Sequence, residues 1–256
     1  MIFLSKKGVI TIPFCSLYSF YLTASCYLLY LGKMSIERNP KDEVFYYNRA
    51  IVREDIKDYQ GALEDYTKAI ELNPTYMDAY FNRAEVEYQL KDYQAAMQDD
   101  NKVIESNPQD TDAYTNRGEV EYQLKDYQAA IQDDSKAIEL NSKDTDAYGD
   151  RGEAKYKVKD FEGALQDCNT AIELHSKDSD IYDTHADVEI CLRRYNEAVL
   201  DENQAILLHP ANSMFFYNRG LAKNLLGDKN GGCADLNKAV ILGNSMAKDS
   251  IEKYCH

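Results

Sequence analysis

Six aspartates stand 34 residues apart in this chain: Asp65, Asp99, Asp133, Asp167, Asp201 and Asp235. Each follows a basic or imidazole side chain by 16 positions, namely Arg49, Arg83, Arg117, Arg151, His185 and Arg219. Two chemistries use such a spacing. Facing outward, a cationic row would grip the carboxylates of a ligand; facing inward, it would pair one helix with the next, the usual way to tolerate partly buried charge. The inward ladder is the expectation. The residues immediately after the aspartates are Tyr66, Asp100, Asp134, Cys168, Glu202 and Leu236. Carboxylates held together serve general acid–base catalysis, and a buried one is costly unless it meets a base or reaches solvent. No nucleophile, metal-ligand set or glycine-rich phosphate loop accompanies Asp100, Asp134 and Glu202. Structural variation is expected there, with an enzyme using those carboxylates as a remote alternative.

Six cysteines, Cys15, Cys26, Cys168, Cys191, Cys233 and Cys255, show no CxxC pair, and the four histidines do not fall beside them. A structural zinc site needs four converging ligands, usually in close pairs. Neither a metal site nor a cofactor is therefore expected.

The elements that must hold the ladder are legible from a repeated phrase. NRAEVEYQLKDYQAA begins at Asn82 and NRGEVEYQLKDYQAA at Asn116. Stepping by 34 recovers six copies between residues 43 and 245, and SMAKDSIEKYC then follows as one more amphipathic helix, a cap spanning 246–256. Apolar residues at spacings of three and four put one face of each copy's two helices inward. Lys-Asp between the helices is too short for anything but an antiparallel hairpin, and Asn-Pro at 107–108 ends the second helix. Small residues recur where helices must approach closely: Ala50, Ala84, Gly118, Gly152, Ala186 and Gly220; then Ala62, Ala96, Ala130, Ala164 and Ala198; then Ala69, Ala137, Ala171, Ala205 and Ala239. A larger side chain there would overpack the contact by about 1 to 3 kcal/mol.

With aromatics at Tyr46, Tyr80, Tyr114, Tyr148, Tyr182 and Phe216, others at Tyr59, Tyr93, Tyr127, Phe161 and Tyr195, and prolines at Pro74, Pro108 and Pro210, this pattern resembles the tetratricopeptide repeat family. The last copy is similar to the terminal repeat of bacterial members. The resemblance implies an all-α, right-handed solenoid of helix hairpins with a concave groove lined by the first helices, used to bind peptides or partner helices. Carried onto this chain, it assigns to the groove Asp78, Asn82, Glu85, Tyr88 and Gln89; Asp112, Asn116, Glu119, Tyr122 and Gln123; and Asp146, Asp150, Glu153 and Tyr156. Members that clamp a partner's C-terminal carboxylate place cations where this chain has Asp and Glu, so that mode is rejected. A non-catalytic scaffold for a basic or amide-rich protein segment is the expected function, against the plainer reading of these rows as a solvated face.

Charge agrees with a protein partner. The formal net charge is -15; residues 1–41 carry five basic residues against Glu37, a net of +4, leaving -19 for the rest. So acidic a body repels nucleic-acid phosphates and anionic lipid headgroups. Membrane contact is expected only through residues 1–33, where Lys6 and Lys7 precede the uncharged run from Gly8 to Gly32. That length suits an uncleaved anchor, with a cleaved signal as an alternative. Residues 34–42 form a linker, and the lysines would leave the repeats on the periplasmic side of a bacterial inner membrane. If Met34 is instead the true start, the chain is a soluble cytoplasmic adaptor. Cys233 and Cys255 lie on the last repeat and the cap; an exported chain could bridge them, whereas a cytosolic one keeps both thiols reduced.

Overall fold

In the computed structural model of the protein the described residues are 17–255, with the side chains of 17–23 and of Cys26 outside the description. The first half of the expected anchor, and Cys15 with it, therefore lies outside the described residues. The described residues form an all-α repeat solenoid, which divides into two compact units, Met1–Pro108 and Gln109–His256. In the first, α1 (Leu17–Arg38) precedes two helix pairs, α2 (Glu43–Asp55) with α3 (Tyr59–Leu72) and α4 (Met77–Gln89) with α5 (Tyr93–Ser106). The second holds four pairs: α6 (Thr111–Gln123) with α7 (Tyr127–Leu140), α8 (Thr145–Lys157) with α9 (Phe161–Glu173), α10 (Ser179–Cys191) with α11 (Tyr195–Leu208), and α12 (Ser213–Leu226) with α13 (Lys229–Ile241). A last helix, α14 (Met246–Tyr254), closes the chain.

Among the described residues no helix is long and apolar enough to cross a membrane. Helix α1 runs on through residues 34–37 to Arg38 and packs on α2. At the contact a Cβ on Gly32 would sit 3.4 Å from the Cβ of Arg49, ordinary van der Waals distance.

The hairpin turn is built from two residues. Asp58, Asp92, Asp126, Asp160 and Asp228 each cap the second helix of a pair, accepting a hydrogen bond from the backbone amide three residues on; this satisfies one of the orphan amides at a helix start. The residue before each cap must turn into the left-handed region to reverse the chain. Lys57, Lys91, Lys125 and Lys159 do so with φ between 62° and 66°, and Arg193 with 61°, whereas Gly227 occupies the equivalent place in the last pair with φ 94°. Only the last repeat thus avoids the steric cost that a Cβ carries in this conformation.

Packing rests on small side chains. Ala50, Ala62 and Ala69 in the first pair, and Ala186, Ala198 and Ala205 in the fifth, are fully buried. In the last pair the backbones nearly touch, since a Cβ on Gly232 would lie 2.8 Å from the Gly220 carbonyl oxygen. Leu236, Ala239 and Ala247 then form a small apolar cluster with Ile251, so α14 covers the open side of α13. Cys233 and Cys255 form a disulfide across this contact, with Cα atoms 5.8 Å apart and a sequence separation of 22.

Two measurements check these statements. Replacing Lys125 with glycine should stabilise the protein in urea unfolding by about 0.5 to 1 kcal/mol, the relief of a left-handed Cβ less the entropy glycine adds to the unfolded chain; a loss of stability would show that the lysine is unstrained. Cys233→Ser should lower the stability of the cap by about 3 kcal/mol under oxidising conditions, the loop-closure value for a bridge of this span.

Candidate functional site: the ladder and the face of the first helices

The basic row points inward. Arg49 Nε and Nη2 donate to the two oxygens of Asp65 at 2.7 and 2.5 Å, and Arg83 engages Asp99 in the same way at 2.6 and 2.8 Å. Arg117 with Asp133, Arg151 with Asp167 and Arg219 with Asp235 repeat the two-bond fork. His185 makes a single contact, Nδ1 to Asp201 Oδ2 at 2.8 Å. The remaining guanidinium nitrogen is also used. Arg83 Nη1 donates to Thr67, Arg151 Nη1 to Ser135 and Arg219 Nη1 to Asn203, each on the second helix of the preceding pair. One side chain therefore joins three helices, and the ring three residues before each ladder arginine, such as Tyr148 before Arg151, lies 5.3 to 5.8 Å from its guanidinium. The guanidinium forks are thus committed to the neighbouring helices rather than to a ligand.

The acids after the ladder aspartates do not reach solvent. Asp100, Asp134 and Glu202 are fully buried. Burial, reinforced by Asp150, pushes Asp134 up to about 9, and burial, reinforced by Asp183 and Asp187, pushes Glu202 up to about 11. Asp134 and Glu202 are neutral acids at pH 7. Space for Asp134 comes from Gly118, where a Cβ would lie 2.6 Å from Asp134 Oδ1.

Within each unit the face of the first helices can be followed residue by residue. In the first unit Asp78, Glu85 and Gln89 are exposed, but Asn82 is engaged: its Nδ2 donates to the hydroxyls of Tyr47 at 3.1 Å and Tyr66 at 3.3 Å. Tyr88 packs against Tyr93 with ring centroids 5.6 Å apart. In the second unit α6, α8, α10 and α12 lie side by side. Asp112, Glu119, Gln123 and Asp146 are exposed, while Asn116, Asp150, Glu153 and Tyr156 are half-buried. The Tyr122 ring packs on Tyr127 and its hydroxyl donates to Glu153 Oε1; Tyr156 packs on Phe161. The tyrosines thus spend their rings on their own hairpins and present only edges and hydroxyls.

Carboxylates dominate what is left. Burial and the neighbouring Glu119 and Glu153 push Asp150 up to about 8. Burial, with Asp183 beside it, pushes Asp187 up to about 7, and Asp183 and Asp180 are raised for the same first reason. Lys157 is the cation close to this set, 3.4 Å from Glu153 and over the rings of Tyr122 and Tyr156. Asp183, which accepts from Asn218 at 2.9 Å, was invisible to a search by repeat position because Tyr47, Phe81, Thr115 and Gly149 hold its place in earlier copies.

This arrangement defines a class: a helix-hairpin repeat protein, with α6, α8, α10 and α12 of the second unit sharing one face. Family models described as tetratricopeptide repeat match residues 44–76, 65–98 and 101–145. The chain belongs to the tetratricopeptide repeat family, whose solenoids in general serve as non-catalytic protein-interaction scaffolds. It is similar to a chain of the APC/C hetero-tetramer Cut9-Hcn1, at 14% identity and TM-score 0.80 over 93% of this chain and 48% of that one. It therefore spans about half the length of that relative. A tetratricopeptide repeat protein from Parabacteroides merdae aligns at 21% identity and TM-score 0.71, covering 93% and 94%. YrrB, described as having an unusual peptide-binding site, aligns at 23% identity and TM-score 0.57, covering 72% and 94%. No curated protein matches.

Arg151→Ala should destabilise by about 3 to 5 kcal/mol, because Asp167 stays buried with less than its full complement of donors; denaturant unfolding measures it, and a change under about 1 kcal/mol would dismiss the ladder as a stabilising device. Asp134→Asn tests the buried acids through pH. The folded-state value of about 9 lies above the ordinary 3.8, so the native state retains a proton that the unfolded chain releases as pH rises. Stability from this group is complete below about pH 4 and is lost by about pH 9. The amide should remove that fall and raise the melting midpoint at pH 8, with little effect at pH 4.

Proposed function

We propose that the face of α6, α8, α10 and α12 binds an extended, basic segment of a partner protein. The observation that carries this reading is the set of half-buried carboxylates Asp150, Asp183 and Asp187, fringed by exposed Glu119, Asp146 and Asp180, with Lys157 as the nearby cation. Crowded like charges raise one another's affinity for protons. A lysine or arginine side chain relieves that crowding, and a guanidinium would be matched bidentately by a carboxylate. Tyr122 and Tyr156 add aromatic edges suited to the aliphatic stem of such a side chain. YrrB, described as a tetratricopeptide repeat protein with an unusual peptide-binding site, is consistent with a peptide ligand for this fold.

The same reading places the repeats in an oxidising compartment, displayed from a membrane by the N-terminal segment of a bacterial protein. It is supported by the uncharged run from Gly8 to Gly32 behind two lysines and by the disulfide of the cap.

Affinity capture in the native host, with Glu119→Lys/Asp187→Lys beside the wild type, should return a partner whose recovery falls at least tenfold with the charge reversal and declines as salt rises. Calorimetry on the captured segment in buffers of different ionisation enthalpy should then show proton release, with affinity rising from pH 6 to about 8 as the raised carboxylates are driven to ionise. Binding that ignores both salt and the charge reversal would remove the acidic face as the site.

A further inference from the structure

One turn after each ladder base stands a third residue: Arg53, Glu87, Glu121, Lys155, Glu189 and Lys223. Where it is basic, the aspartate gains a second cation, as Arg53 reaches Asp65 at 3.0 Å, Lys155 reaches Asp167 at 2.7 Å and Lys223 reaches Asp235 at 2.8 Å. Where it is Glu87 or Glu121, an arginine remains beside the two carboxylates, 3.7 Å from Glu87 in the first case. The fifth pair alone combines two carboxylates with an imidazole. His185 and Glu189 lie one turn apart on α10 and Asp201 faces them from α11, with one ligand atom of each within 4.8 Å of the others.

The imidazole sets this cluster apart, since Glu87 Oε2 and Glu121 Oε2 are also buried without a hydrogen-bond partner but have an arginine beside them. His185 and Glu189 are 8% and 5% exposed, and His185 Nε2 and Glu189 Oε2 are buried without a hydrogen-bond partner. With the imidazole neutral the three groups sum to a charge of minus two. We propose that His185, Glu189 and Asp201 bind one divalent transition-metal ion of the zinc class.

The ion makes the cluster neutral and supplies a partner for the orphaned Glu189 Oε2, with His185 binding through the Nδ1 that faces Asp201. One imidazole nitrogen and two carboxylate oxygens suit zinc and its neighbours; calcium and magnesium ask for six or more oxygen ligands. Two ligands each about 2.1 Å from an ion stand about 3.0 to 3.4 Å apart, so the 2.8 Å between His185 Nδ1 and Asp201 Oδ2 already approximates one edge of a coordination shell. The remaining position is open to water from the side of Asp201, whose side chain is 18% exposed. Bound there, the ion pins α10 to α11 as a guanidinium does in the other five pairs. A search of the sequence for paired cysteines passes over it, because its ligands come from a His-x-x-x-Glu turn and a ladder aspartate.

The test uses the full chain stripped with a chelator. Titration with Zn2+ should show one ion bound per chain and raise the melting midpoint, and Co2+ should give a visible spectrum without the intense thiolate band that cysteine ligation produces. Glu189→Gln and His185→Arg should each weaken Zn2+ binding at least tenfold and abolish the rise in midpoint. His185→Arg restores the residue found in the other five pairs, so without metal it should melt at or above the wild type, which separates loss of a ligand from loss of fold. Undiminished Zn2+ binding in both variants, or a thiolate band in the wild type, would move the ion to cysteines and overturn the proposal. A wild-type midpoint indifferent to Zn2+ would leave a shared proton as the occupant and overturn it equally.

Discussion

The fork between an arginine on the first helix of a pair and an aspartate 16 residues later on the second holds this fold in register. Its strength is geometric: two parallel N–H bonds to one carboxylate fix both the rotation and the translation of the helices. The third nitrogen reaches back from Arg83, Arg151 and Arg219 to the preceding pair, so the contact that closes a hairpin also stacks it. Few large apolar side chains are fully buried. Alanine packing brings the helices close, and that closeness lets a guanidinium span three of them. Neither feature suffices alone, because alanine contacts slide easily and a longer helix separation would leave the charges unpaired.

Burying that much charge has a second consequence. Once Asp133 is held by Arg117 and Asp201 by His185, burial governs the carboxylate that follows each, and Asp134 and Glu202 answer by keeping their protons. A neutral carboxylic acid is an acceptable core residue only while it stays neutral. The interior thereby becomes sensitive to alkaline pH in a protein whose surface is already strongly acidic. Gly118, opposite Asp134, shows that the backbone makes room for the acid.

On the face of the first helices, architecture and recognition share residues. Asn82 and the rings of Tyr88, Tyr122 and Tyr156 are committed to contacts within their own unit. What they leave toward solvent is a rigid surface with little side-chain entropy to lose, bordered by carboxylates whose protons a cation can displace. Such a surface favours a partner by charge and shape, and its pH response follows from the crowding of Asp150, Asp183 and Asp187.

The sequence by itself determined the repeat. The interval of 34, the alanines at the close approaches, the short Lys-Asp links and the arginine–aspartate spacing are local or periodic requirements, and each repeats often enough to be read without coordinates. It also located the helix at the C-terminus. Tertiary structure alone decided which polar groups are spent. That Asn82 lies between two tyrosine hydroxyls, that Tyr122 serves Glu153, that Asp134 is a neutral acid and that His185, Glu189 and Asp201 converge all depend on distances between helices. Periodicity specifies that helices pack, but a hydrogen bond or a raised pKa is settled by the last few ångströms, which only the assembled packing fixes.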